Sequence, residues 1–355
     1  MITNNATRPA TGQWRRYLPW LNLILTIILI IAGLWYLSTR VSLAVVGAAL
    51  AGASMPYVAL AVVLMLLTIA LKAWRWQLMF AAEEAPVPFG ASFWAISLGQ
   101  YVNLIVPFLR LGEIARLYAL NQEAGTSGGR GLGTLVVEKT LDLIFFGLTI
   151  LFVLPFIILP DFIDQPGLAW VVLPLVLLVV LYLLAYQTAQ VIRLWRRVIA
   201  PLPERPRDFL LRLAVTGLEG LASLRNPRIT LALLLISLMI AALAVALPYV
   251  LFPALDLPLG LLDAALVHIA VSIAITPPST PAKIGIFNGA AALVLWQLGI
   301  TNETSIAGYA ILLYLVVVGP QIVLGLVAAS RSKWRWRAGM PGEPPSPPLV
   351  DTHRS

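Results

Sequence analysis

Hydrophobic residues in this chain come in long unbroken runs. Six runs are long enough to be membrane spans, at about 18–38, 56–76, 132–157, 167–187, 229–252 and 304–329. A span needs roughly 20 apolar residues to cross the hydrocarbon core. Residues 42–54 are apolar but short, and read as an interfacial lead into the second span. Two further apolar regions, 90–120 and 259–300, are interrupted by helix breakers. The first carries Gly99, Asn103, Pro107 and Gly112; the second carries Pro277, Pro278, Pro281, Gly285 and Gly289. A broken helix at membrane depth frees backbone groups that lipid cannot satisfy, so it must be buried in protein or line a wet cavity. The pattern predicts an all-α polytopic membrane protein with six full transmembrane helices and two re-entrant broken-helix hairpins.

Charge sets the orientation. With the N-terminus inside and each hairpin returning to its own side, Arg8, Arg15, Arg16, Lys72, Arg75, Arg110, Arg116 and Arg130 fall at or near the cytoplasmic face. The eight arginines from Arg193 to Arg228 fall there too, with Arg331, Lys333, Arg335 and Arg337; only Arg40 and Lys283 fall near the outside. Reading 90–120 as one full span would put the eight-arginine loop outside, against the positive-inside bias. The accepted layout repeats itself. Span 56–76, hairpin 90–120 and span 132–157 are mirrored by span 229–252, hairpin 259–300 and span 304–329. An inverted repeat with a broken element in each half is a transporter pattern, with the substrate site where the broken elements meet.

The layout divides the chain into a cytoplasmic N-terminal segment, 1–17, a transmembrane domain, 18–330, and a tail, 331–355. Within the domain, 188–228 is a basic cytoplasmic loop. Its amphipathic stretch, Phe209, Leu210, Leu213, Leu218, Leu221 and Leu224 interleaved with Arg207, Arg212 and Arg225, suits a helix lying on the inner leaflet. Arg331 to Arg337, with Trp334 and Trp336, reads as a juxtamembrane anchor for anionic headgroups, and the Pro-rich remainder as disordered. Composition agrees. The chain of 355 residues is 60% hydrophobic and 11% charged, where a soluble domain is about 45–50% and about 25%. That excludes a soluble globular enzyme and a disordered chain. Its +8 net charge then reflects cytoplasmic loops, not nucleic-acid binding. With no cysteine, disulfides and thiolate metal sites are excluded. No leader with a small-x-small cleavage site is evident, so 18–38 reads as an uncleaved first span in a plasma-membrane protein with both termini cytoplasmic.

Two windows hold the candidate chemistry. Glu113 and Arg116 are three apart, as a helical pair requires. Glu138, Lys139 and Asp142 lie inside the next span, with Glu138 and Asp142 on one face. One charge at the centre of a span costs about 2.5–3.5 kcal/mol, so these must point into the bundle. They either line a polar cavity that meets a charged headgroup or form an ion network that fixes helix packing. The second window is Thr276 to Gly289, where three prolines forbid a regular helix and Lys283 stands where a helix restarts, an arrangement suited to phosphate or to a plain surface loop. His268 reads as a packed core residue without a metal partner. Asp161 and Asp164 read as ordinary loop charge. No P-loop, G-x-S-x-G or H-E-x-x-H is present. Neither a metal nor a cofactor is expected.

Four stretches carry a resemblance. Trp74-Arg75-Trp76 closes the second span. Asn103 and Pro107 precede Arg110-Leu-Gly-Glu-Ile-Ala-Arg116. Val136-Val-Glu-Lys-Thr-Leu-Asp142 and Pro281-Ala-Lys-Ile-Gly-Ile-Phe287 follow. In this order they resemble the transmembrane region of lysylphosphatidylglycerol synthases, also found as stand-alone flippase-like membrane proteins. Three positions depart from that pattern: Lys139 stands where arginine is usual, Ala282 replaces a glycine, and Asn288 stands where glutamate is common. The soluble aminoacyl-transferring domain of the two-part synthases is absent from this sequence. The resemblance therefore implies lipid translocation without lysyl transfer.

The expected function is a non-enzymatic flippase-like transporter of a phospholipid or a polyprenyl-phosphate-linked glycolipid. Asn103, Arg110, Glu113, Arg116, Glu138, Lys139 and Asp142 are the expected inner substrate contacts, with Lys283 and Asn288 on the outer side. Gly99, Pro107, Gly112, Pro277, Pro278, Pro281 and Gly285 are expected to shape the hairpins. Two alternatives stand beside it. One is a scaffold for a separately encoded synthase or glycosyltransferase. The other is a membrane-embedded lipid transferase, for which only Glu113 and the pair Glu83-Glu84 offer carboxylates at a membrane face.

Overall fold

The computed structural model describes residues 51–80, 87–106, 111–153, 187–200, 222–277 and 281–331, with isolated positions between 176 and 218. Among the described residues every regular element is helical. The α-helices are α1 (Met55–Met79), α2 (Phe89–Ile105), α3 (Leu111–Ala124), α4 (Gly128–Val153), α5 (Thr188–Val198), α6 (Pro227–Ala254), α7 (Leu261–Ala274), α8 (Ile286–Gln297) and α9 (Glu303–Arg331). The expected spans 18–38 and 167–187, the tail after Arg331, and Asp161 and Asp164 lie outside the described residues.

Helix starts follow local chemistry. Pro227 occupies the first turn of α6, where its missing N–H would have no partner, and Asn226 accepts a hydrogen bond from the Arg228 N–H at 3.0 Å. Asp263 in the first turn of α7 accepts one from the Gly260 N–H at 2.8 Å. Three helices, α1, α6 and α9, are long and apolar enough to cross a membrane. The 26-residue α4 is long enough but carries Arg130, Glu138, Lys139 and Asp142. Only 22% of the apolar window of α6 is buried, and Leu231, Leu235, Leu238 and Met239 lie exposed on it. Such a surface needs lipid, because water would drive it to aggregate.

The first broken region folds into an antiparallel helical hairpin, α2 against α3. Gly99 faces Arg116 and Asn103 faces Gly112; the Gly112 N–H donates to Asn103 Oδ1 at 2.8 Å. A methyl added at Gly99 would stand 2.7 Å from the Gly112 carbonyl oxygen, and one at Gly112 would collide with the Gly99 carbonyl and Asn103. These glycines therefore lie inside the helices and let two backbones touch. The break comes between α2 and α3, and Pro107 and Arg110 within it lie outside the described residues.

The second broken region gives α7 and α8, joined through Pro277 and a 3-10 turn at Pro281–Lys283; Pro278 lies outside the described residues. Ala282 (φ 52°), Lys283 (φ 61°) and Gly285 (φ 84°) all have left-handed backbones. The Tyr314 hydroxyl of α9 holds this turn by donating to the Ala282 carbonyl at 2.9 Å. The extra backbone freedom is therefore used at Gly285, whereas Gly289 is an ordinary position inside α8. α1 packs along α6 at the middle of the bundle, α9 lies on α2, and α4 contacts α6 and α7.

Candidate functional site

Six charges from α1, α3 and α4 meet beside the first hairpin. Arg116 pairs with Glu113 at 2.9 Å and with Glu138 at 3.0 Å. Lys139 reaches Glu113 at 3.1 Å and Glu138 at 3.6 Å. Arg75 pairs with Asp142 at 2.6 Å and donates to Ser237 Oγ of α6 at 3.0 Å. Arg75, Arg116 and Glu138 are buried. The Arg116 guanidinium also lies 5.0 Å from the centre of the Trp76 ring, a cation–π contact. Trp76 is fixed in turn, donating from Nε1 to Thr134 Oγ1 at 2.9 Å. Thr134, Glu138 and Asp142 are four apart, so α4 presents them on one face. The pair expected from the Glu113 and Arg116 spacing forms. Asp142 takes its partner from another helix, Arg75, and not from the neighbouring Lys139.

Two cavities open next to this network. The first, about 340 Å³, lies between the hairpins. Gln100 and Asn103 of α2 face His268 and Ser272 of α7 and Lys283 of the turn, with Lys72 of α1 and Gln321 of α9 closing the sides. The second, about 450 Å³, is lined by Lys72, Arg75, Lys139, Asp142, Thr149, Ser237, His268, Ser272 and Thr276 among others. Lys72, Ala244, His268 and Ser272 border both. Both volumes are in the range of small-molecule sites.

The structure thus separates the sequence-derived site residues. Asn103 and Lys283 border the first cavity, Lys139 and Asp142 the second, and Glu113, Arg116 and Glu138 form the ion network alongside. Asn288 borders neither; its Oδ1 is buried with no hydrogen-bond partner among the described residues. Lys72, Arg75 and His268 border the cavities but were not among the expected site residues. Lys72 and Arg75 were assigned to the cytoplasmic charge belt, although their i, i+3 spacing inside an apolar run marks one face. His268, expected as packed core, does meet Phe146 edge-on at 6.0 Å and also borders both cavities. Among the described residues no group of His, Cys, Asp and Glu could hold a metal ion.

The family model of the lysylphosphatidylglycerol synthase TM region matches residues 23–325. The chain belongs to this family. All four sequence stretches that suggested it lie within the match. The chain is also similar to the UPF0104 membrane protein MJ1595 of Methanocaldococcus jannaschii, with 29% identity over 132 residues, 36% of this chain and 39% of that protein. The chain thus matches about two fifths of that relative's length. No solved structure matches it. As a family member it is a membrane protein, and the apolar outer faces of α1, α6 and α9 agree with that.

Proposed function

We propose that this protein moves a lipid with a charged headgroup between leaflets of the plasma membrane, with both termini cytoplasmic and no chemical step. The observation that carries the reading is the pair of cavities, both bordered by Lys72, His268 and Ser272, that bring charged and polar side chains inside helices whose outer faces are apolar. A charged headgroup is costly to bury in hydrocarbon. A polar path inside the bundle removes most of that cost while the acyl or prenyl chains stay in lipid along the exposed faces.

The neighbour relations support an inverted repeat, with α1–α4 corresponding to α6–α9. α1 packs on α2 as α6 packs on α7. α2 lies on α9 as α7 lies on α4, and α3 on α4 as α8 on α9. α1 against α6 is then the self-paired contact on the axis. In such a repeat the broken elements frame the substrate site, and here α2 and the Pro281–Lys283 turn both border the first cavity.

The test is translocation in proteoliposomes loaded with labelled phosphatidylglycerol, an aminoacylated phosphatidylglycerol or a short polyprenyl-phosphate sugar. Gln100→Leu/Gln321→Leu removes two neutral polar groups from the first cavity without orphaning a charge. Movement of one lipid should fall about tenfold or more in this variant, as loss of polar contacts along a route predicts. Unchanged movement would remove the cavity from the route. No movement of any lipid by the folded wild-type protein would remove transport and leave the scaffold reading.

A further inference from the structure

The charges around the cavities do not balance, and the imbalance has one owner. Arg75, Arg116 and Lys139 are matched by Asp142, Glu113 and Glu138. Lys72 stands outside this set. Among the described residues no carboxylate lies within ion-pair distance of its ammonium group, and Asp142, which shares the second cavity with it, is already engaged by Arg75. Lys72 lies in the last third of α1, partly buried, and borders both cavities. The first cavity also carries Lys283 and has no carboxylate in its lining.

An ammonium inside an apolar bundle with no carboxylate at ion-pair distance among the described residues is costly, and a bound anion offsets that cost. The side-chain amides of Gln100, Asn103 and Gln321 and the Ser272 hydroxyl add neutral polarity to the first cavity's lining. An anion with several acceptor oxygens satisfies Lys72 and these donors together. A headgroup bearing its own ammonium would be repelled at the same place.

We infer that Lys72 anchors a phosphate, and that the cargo's headgroup enters these cavities with a net negative charge. The inference deepens the transport reading and rests on it for the word cargo; the anion site itself stands on the charge arrangement.

The test measures binding apart from movement. The full chain is purified in neutral detergent, and its melting temperature is followed with phosphatidate, phosphatidylglycerol, lysylphosphatidylglycerol or phosphatidylcholine, and separately with inorganic phosphate and glycerol phosphate. Phosphatidate and phosphatidylglycerol should stabilise the wild type and the others not. Lys72→Met should weaken that binding about tenfold or more, as loss of a charge-assisted contact does, and Lys72→Arg should retain it. The ligand-free Met variant should melt no lower than wild type, because it removes an unmatched buried charge; this separates lost binding from lost folding. Stabilisation by inorganic phosphate alone, lost in Lys72→Met, would support the anion site and make its ligand a free phosphate. Equal binding of lysylphosphatidylglycerol, or anionic binding unchanged in Lys72→Met, would overturn the proposal. Anion binding without movement in proteoliposomes would keep the site and remove transport. Movement indifferent to headgroup charge and to Lys72 would keep transport and remove the site.

Discussion

Arg116 and Lys72 are both cations held inside the same bundle, on helices that neighbour α4. Arg116 meets two carboxylates and the face of Trp76; Lys72 meets open cavity. The difference lies in what completes each charge. Around Arg116 the chain supplies its own counterions from α3 and α4, so the cluster holds three helices in register. Around Lys72 the described residues supply cavity, polar side chains and Asp142, which Arg75 already engages, so no carboxylate is left to pair with it there. Intramembrane charge by itself therefore does not mark a binding site. An uncompensated one beside a cavity does.

The hairpins differ in a parallel way. The first is closed by backbone touching backbone at Gly99 and Gly112 and by the ion cluster at its side. In the second, a strained left-handed turn is held by the Tyr314 hydroxyl from α9.

The sharpest way to break the comparison is Arg116→Met. It strands Glu113 and Glu138 with only Lys139, and removal of one side of a buried ion cluster costs about 3–5 kcal/mol. Thermal unfolding in detergent should show a large loss, in contrast to Lys72→Met. A comparable melting point for both variants would erase the distinction between the two cations. Next in size is Gly112→Ala. Its methyl group would push α3 away from the Gly99 carbonyl and Asn103, and overpacking of this kind costs about 1–3 kcal/mol. A crosslink between cysteines introduced on α2 and α3 should form more slowly in that variant; an unchanged rate would show that the backbones are not in contact. The smallest effect has the opposite sign. Ala282 occupies a left-handed conformation that glycine adopts freely. Ala282→Gly should therefore raise stability by about 0.5–1 kcal/mol, read as a modest increase in melting temperature. A decrease would mean that the buried methyl group matters more than the backbone strain.

The glycine that the family pattern places at Ala282 was legible as a departure from the sequence, but its meaning was not. Only the backbone angle shows that the position is one where a Cβ is strained. Likewise, Gly99 and Gly112 read as helix breakers in the sequence, yet they lie inside α2 and α3 where the two backbones touch. Composition cannot tell a glycine that ends a helix from one that lets another helix approach. The spans at Met55–Met79, Pro227–Ala254 and Glu303–Arg331 were legible within about three residues, because a long apolar run has few alternatives in lipid.

By itself the sequence determined that this is a helical membrane protein of the lysylphosphatidylglycerol synthase TM region family, and that its helices break in two places. Those properties follow from runs of apolar residues and from prolines, which act locally. Tertiary structure alone decided which charges cancel. Glu138 and Asp142 share a face in sequence, yet one meets Arg116 of α3 and the other Arg75 of α1. Lys72, one turn from Arg75, meets neither carboxylate. Local spacing fixes which residues share a helix face, but a counterion is chosen by the helix that packs opposite.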